Sequence, residues 1–469
     1  MPIHPAQTRT RAVITARRAG NIMRRAAHLA ILPMATGLFA GASSGETRPP
    51  PDVAPALQPA TARTEPRWGV GMGLRYADVP FRGGDDTVAD IVPLFFFEGR
   101  HVFLRGLEGG LHAWTSPQTE INLLARYRFF DIPKGLQNEI RQDALDMGAQ
   151  LRWQFKPGWR LDGEVLSDVD GRVQGIARLG AVIGTAGWRF QPEAELRAKT
   201  AAFNSNYYGI GEYDVDAGAD LRFRLKMRRH VYRNLYLIGS AEAAFLDHAA
   251  RSSPAVNDRM EWEAFLGVGF FNRPVTPAGE PQALSIRPYW RLSQGIGTDA
   301  TILEAMTGEV AAGDRTIRMT SLFYGYPLAE NFMGLPIEVY LTPGLAHHYA
   351  SSAQDAATEY VLAVKFYHTL PLPWRVRLGF AEGMSYADSI TYYEETSLTR
   401  KGYRTSRLLN YLDFSLDVSL GDMTKRNGLR DWWLGAGIHH RSGIFETASM
   451  FGRIKGGSNF STVYLQWSP

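Results

Sequence analysis

The sequence predicts an all-β fold, a transmembrane antiparallel β-barrel, arranged as two barrel units in tandem. Three observations predict it. Apolar and polar residues alternate with period two over segments of roughly ten residues, the pattern of a strand with lipid on one side and a polar lumen on the other. After Arg67 no run of 18 apolar residues occurs, so membrane-spanning helices are excluded and strands are left to cross a bilayer. The chain also ends on a strand-like segment, Phe460 to Trp467, that finishes on an aromatic.

Residues 1–42 carry six Arg and no acid, then an apolar stretch from Ala26 to Ala40 closing on the small residues Ala40-Gly41-Ala42. That order is a secretory signal peptide; a mitochondrial presequence is the rival reading, and the barrel pattern that follows argues against it. Removing those six charges turns the net charge of +4 into −2, so the basic balance belongs to the leader and implies no nucleic-acid partner. Residues 43–66 hold prolines at 49, 50, 51, 55, 59 and 66 and read as an extended periplasmic linker. The chain has no Cys, which excludes disulfides and thiolate metal sites and suits an oxidising compartment.

The alternation then begins. Ile121, Leu123, Ala125, Tyr127 and Phe129 alternate with Asn122, Arg126 and Arg128. Leu145 to Phe155 and Leu221 to Met227 repeat the pattern, the second against Arg222, Arg224, Lys226 and Arg228. That basic ladder reads as a polar lumen face paired with acids from neighbouring strands, or as a cationic lumen that favours anions. About 11 strand-like segments fall between 68 and 272, and about eight between 283 and 468. The Pro-rich stretch 273–282 separates a unit at 67–272 from one at 283–469. One large barrel of about 20 strands is the alternative.

The first unit carries Trp68-Gly-Val-Gly-Met-Gly-Leu, Val92-Pro-Leu, Arg105-Gly-Leu-Glu-Gly-Gly-Leu, Asn206-Tyr-Tyr-Gly-Ile-Gly, Ser253-Pro-Ala-Val and Gly267-Val-Gly-Phe-Phe. In these stretches it resembles the MipA/OmpV family of outer-membrane proteins, which includes a scaffold for a murein-degrading transglycosylase. The resemblance implies a bacterial outer-membrane location and, as a partner, a periplasmic murein hydrolase. The glycines from 69 to 73 are no dinucleotide loop, because no helix pattern follows and no acid closes a βαβ unit.

In the second unit the segment 432–442 places Leu434, Ala436 and Ile438 on one face, and His440 and Ser442 continue that face at its end. A polar pair looking at lipid is costly unless it has a use. The pair stands as His440-Arg441-Ser442, and this half is similar to PagL-type lipid A deacylases, eight-stranded barrels with a His-x-Ser motif. The resemblance implies a serine esterase acting on lipopolysaccharide, with Ser442 as nucleophile and His440 as general base. The chain departs from that pattern where the family has Asn after the serine, here Gly443, and where it has its acid, here Ile454. Glu446 and Glu382 are the candidates for the missing acid. The turn Gly456-Gly-Ser-Asn459 offers Gly457 and Asn459 as substrate-binding donors, and Asn410 lies on the strand between Glu382 and the pair. A lone His-x-Ser among 11 His is by itself ordinary at a barrel rim. Adjacent His347 and His348 point oppositely, and no metal or cofactor motif stands out. A non-catalytic envelope scaffold, or a pore, remains the reading from another class.

Overall fold

The computed structural model describes residues 68–83, 87–132, 145–185, 187–272, 283–298, 304, 316–403, 405–443 and 457–469. The leader, the Pro-rich segment, the 273–282 boundary, Glu446 and Ile454 lie outside the described residues.

The first unit opens with β1 (Trp68–Asp78), β2 (Thr87–Glu98), β3 (Val102–Gly106), β4 (Glu108–Thr115) and β5 (Thr119–Tyr127). It continues through β6 (Leu145–Lys156), β7 (Trp159–Asp168), β8 (Val173–Ala181), β9 (Ile183–Thr185) and β10 (Trp188–Lys199). After helix α1 (Ala201–Tyr207) come β11 (Gly218–Tyr232), β12 (Leu235–Phe245), helix α2 (His248–Ser252) and β13 (Met260–Phe271). Each strand but β8 pairs antiparallel with the next, and β13 returns to β1 from Gly69↔Phe271 to Ala77↔Glu263. Both β8 and β9 pair with β10, one strand interrupted at Val182, so the 13 strands fill 12 positions of a closed ring.

The second unit is β14 (Tyr289–Thr298), β15 (Arg318–Ala329), β16 (Ile337–His348), β17 (Ala357–Leu370) and β18 (Val376–Ala387). Helix α3 (Tyr392–Arg400) leads to β19 (Leu408–Ser419), and helix α4 (Leu420–Thr424) to β20 (Trp432–Ser442) and β21 (Gly457–Trp467). These eight strands close on themselves through β14 and β21. Among the described residues no ladder joins β13 to β14, so the chain forms two barrels rather than a single large one.

Alternation along each strand decides what faces where. On β6, Leu151, Trp153 and Phe155 are exposed on the outer face while Asp146 and Gln150 are buried in the lumen. The lumen polars are paired: Arg75 bonds Asp90 and Asp131, Arg178 bonds Glu164 and Glu195, and Lys199 bonds Asp220. A buried cluster of Phe81, Phe203, Tyr207, Tyr208, Leu246 and Val256, drawn from α1 and from the segments joining strands, sits at one end of the first barrel. The family-like stretches at 206–211 and 253–256 contribute to it, and Ser253 Oγ donates to the Tyr208 carbonyl at 2.8 Å.

The glycines of β1 lie in the closing seam. A Cβ on Gly73 would stand 2.5 Å from Gly267 Cα, so the first and last strands approach as closely as they do only with glycine there. In the second barrel three of the four connections at one end, 299–317, 388–407 and 443–456, are longer than any at the other, 330–336, 371–375 and 420–431, and the fourth, 349–356, is short. Barrels of the outer-membrane type carry their long loops outside and their short turns in the periplasm.

Candidate functional site

Strand β20 divides its residues between two solvents. Inside the barrel, His439 Nε2 lies 2.9 and 3.0 Å from the two Glu359 oxygens, and Glu359 Oε2 is also 2.9 Å from His348 Nε2. Arg441 donates to Ser385 Oγ at 2.7 Å and to the Arg407 carbonyl at 2.9 Å, and it bonds Glu394 on α3. With 439 and 441 held in the lumen, 440 and 442 must face outward at the long-loop end. The expected parity therefore holds: His440 and Ser442 continue the outer row of Leu434, Ala436 and Ile438.

His440 is held by a cross-strand partner. Its Nδ1 lies 2.5 Å from Asn459 Oδ1, the residue directly opposite on β21. An amide oxygen only accepts, so Nδ1 carries the proton and Nε2 presents its lone pair. Ser442 stands two residues on, about 7 Å away at Cα. Among the described residues no hydrogen bond joins Ser442 to His440. Both residues are largely covered, at 9% and 8% exposure, so a hydroxyl and an imidazole sit in a partly dry place on a lipid-facing wall.

The two candidate acids fare differently from Asn459. Glu382 faces outward from the middle of β18, as its alternation requires. It pairs with Leu412, which pairs in turn with His440. The three form one row, with the leucine side chain between acid and imidazole and two strand spacings of about 9.6 Å to cross. The structure does not bring Glu382 to His440, and Glu446 is not among the described residues. Asn410, 2% exposed, lies opposite Ser442 on one side and Met384 on the other. Residues 457–459 were expected in a turn and are instead the first residues of β21, because they pair with 440–442 of β20. Gly457 sits opposite Ser442, and a Cβ there would fall 1.6 Å from the Arg441 carbonyl oxygen, so its lack of a side chain is what lets the strands meet beside the serine.

The other candidates find structural places. Arg222 bonds Glu242 at 2.9 Å, Arg224 bonds the same carboxylate, Lys226 lies 3.3 Å from Glu193, and Arg228 stacks over Tyr236 and Phe271. The ladder is a paired lumen face. Asp413 bonds Arg291 and Lys365, and Asp417 bonds Arg377, all inside the second barrel. His348 points into the lumen, while His347 stacks edge-on with Tyr349 at 5.0 Å. Among the described residues no cluster of three His, Asp or Glu is arranged to hold a metal.

Residues 70–271 match the MltA-interacting protein MipA family. The match runs from β1 to β13 and ends with the barrel, so over this unit the chain is similar to that family, as its glycine-paced stretches imply. No curated protein matches the chain. Among solved structures, a bacterial polysaccharide outer-membrane secretin is 9% identical over 86% of this chain and 99% of its own, with a TM-score of 0.20. OprB of Pseudomonas putida is also 9% identical, over 86% of this chain and 93% of its own, with a TM-score of 0.23. At such scores the closure of both barrels rests on their own strand pairing.

Proposed function

We propose that the chain is a bacterial outer-membrane protein whose second barrel, similar to PagL-type deacylases, hydrolyses an acyl ester of lipopolysaccharide, in lipid A. One observation carries this reading: an imidazole held through Nδ1 by Asn459, two residues from a serine, on the face that meets lipid. A substrate anchored in the outer leaflet meets that face without entering the barrel. In the reaction, Ser442 Oγ attacks the ester carbonyl carbon as its proton passes to His440 Nε2. The tetrahedral intermediate collapses, the carbon–oxygen bond to the sugar breaks, and the departing oxygen takes the proton from the imidazolium. Water, activated by the same imidazole, releases the fatty acid from Ser442. Asn459 holds the ring in the tautomer that the first step needs.

The test uses purified, refolded protein and lipopolysaccharide, with mass spectrometry of the released fatty acid and of lipid A. Ser442→Ala should reduce release by about 10⁴-fold or more while the folded barrel still migrates heat-modifiably. Lipid A with the same acylation in cells with and without the protein, once its place in the outer membrane is verified, would remove the reading.

A second reading is favoured by the match of residues 70–271 to a family described as MltA-interacting. There the MipA-type barrel presents its surfaces to a murein-degrading enzyme and the second barrel anchors the assembly. Retention of a lytic transglycosylase on the immobilised protein, unaffected by Ser442→Ala, separates it from the first.

A further inference from the structure

The basic ladder of β11 changes character along its length. Its lumen side chains rise in exposure from Asp220 at 0% through Arg222 at 14% and Arg224 at 28% to Lys226 at 43%. Water therefore reaches the lumen of the first barrel from the end that carries Arg228, whereas the end beside α1 is covered by the buried cluster of Phe81, Phe203 and Tyr208. The longest connections of this barrel, 79–86, 128–144, 200–217 and 246–259, lie beside α1. Those at the other end, 99–101, 116–118, 157–158, 186–187 and 233–234, hold three residues or fewer. With short turns in the periplasm, the first barrel is a cup closed toward the outside and open to the periplasm.

The mouth of that cup is cationic. Arg228, lying over the rings of Tyr236 at 5.5 Å and Phe271 at 5.1 Å, stands directly opposite Arg189 of β10. Like charges facing each other across a ladder work against the sheet. Two residues deeper, Lys226 has Glu193 at 3.3 Å, but that one carboxylate also serves Arg224 at 3.5 Å and Arg160. On the far wall Arg105 bonds Glu98 at 3.1 Å, and among the described residues its buried Nη1 has no hydrogen-bond partner. A negative group entering from the periplasm meets these cations on the lumen side.

We infer that the mouth of the first barrel takes an acidic peptide in extended form, the tail of a periplasmic protein with carboxylates at alternate residues. Side chains two apart on a strand share a face and repeat about every 6.8 Å, so Lys226 and Arg228 offer two cations at that spacing. An extended segment repeats its own side chains at the same interval. One carboxylate then lies between Arg228 and Arg189, and the next lies beside Lys226. The first is bonded by two guanidinium groups, whose planar forks suit a carboxylate. A free phosphate ion fills only one of the two positions. The site is separate from Ser442 and takes from the proposed function only the outer-membrane orientation, which puts the mouth in the periplasm.

Three blocked, fluorescein-labelled pentapeptides test it: Ala-Glu-Ala-Glu-Ala, the same sequence with Gln for Glu, and an isomer with its two Glu adjacent. Purified protein in a zwitterionic detergent is titrated against each by fluorescence anisotropy. The alternating peptide should bind at least about tenfold more tightly than its Gln counterpart, and more tightly than the adjacent isomer. Arg189→Gln and Arg228→Gln should each lower its affinity about tenfold, while Arg172→Gln, in the turn at the closed end, leaves it unchanged. Each variant is scored only with its heat-modifiable migration intact, and Arg189→Gln removes one of two facing charges, so the fold should tolerate it. Equal affinity for the Glu and Gln peptides, or undiminished affinity in both Gln variants, overturns the proposal. So does inorganic phosphate that binds as tightly as the alternating peptide, and equal affinity for the two Glu isomers overturns the alternate spacing. Both ends of the barrel are accessible in micelles, so failure here removes the peptide site and leaves the outer-membrane orientation and the deacylase reading standing.

Discussion

The two barrels obey the same rule and differ in where they break it. In the first barrel the outer rows are apolar along β6, β7 and β11, and acids and bases stay in the lumen as pairs. The second barrel has an equally paired lumen, yet its outer wall is interrupted by Glu382, Asn410, His440, Ser442 and Asn459 on four consecutive strands. A residue that pays for facing lipid is more informative than any number of residues that face the solvent they prefer. The polar interruptions of the outer face therefore gather on the second barrel.

The largest expected difference lies in the lumens. Asp413 is the carboxylate bonded by both Arg291 and Lys365, so Asp413→Leu leaves two buried cations and should cost about 3–5 kcal/mol. Glu242→Leu in the first barrel should cost less, about 1–2 kcal/mol, because Arg224 keeps Glu193 at 3.5 Å and Arg222 keeps Glu261 at 3.6 Å. Denaturant unfolding in detergent ranks the two, and equal losses would erase the distinction between a branched and a single-centred network. Next comes orientation of the imidazole. Asn459→Leu should lower kcat for lipopolysaccharide deacylation about 100-fold with KM little changed, and Asn459→Asp should recover most of it. Wild-type kcat in Asn459→Leu would show that the amide merely fills space.

Smaller still is the exchange of outer-face residues. Leu266→Glu places an acid on the exposed apolar wall of the first barrel and should destabilise it by about 1–2 kcal/mol, whereas Glu382→Leu should stabilise the second by a similar amount. If Glu382→Leu destabilises instead, the acid belongs to the packing. The weakest effect belongs to the exposed turn at α4. The Arg375 guanidinium and backbone N–H hold the Asp422 carboxyl at about 2. A depressed carboxyl stabilises the fold above its ordinary value of about 3.9, and that contribution disappears as pH falls through the depressed one. Arg375 lies 5.2 Å over Trp433, so the fluorescence of that ring should change only at such acid pH, and Asp422→Ala should leave neutral-pH stability almost unaltered.

How much of this the sequence discloses follows from what sets each feature. Faces are local: alternation at 145–155 and 432–442 assigns lumen and lipid sides correctly, because side chains on a strand have a fixed period of two. The outward placement of Glu382, His440 and Ser442 was therefore readable residue by residue. Register is not local. Whether Glu382 or Asn459 meets His440 depends on how β18, β19 and β21 slide against β20, and nothing in the separate segments encodes that offset. So the acid that interrupts an apolar row draws attention, while the asparagine that holds the ring sits in a stretch that reads as a turn. The strand count errs for a similar reason: β3 is five residues long and pairs through only a few of them, too short to show an alternating pattern.

The glycine-lined joint between β1 and β13 has a consequence for how firmly the first barrel is closed. Among the described residues it is the one place where the first barrel joins strands from opposite ends of its sequence. Val70 on one side of the joint and Phe270 on the other are packed against Leu328 and Val339 of the second barrel. The joint is sealed from outside by its neighbour. Separating β1 from β13 would also strip Val70 and Phe270 from their apolar neighbours in the second barrel, so the contact between the barrels braces the joint.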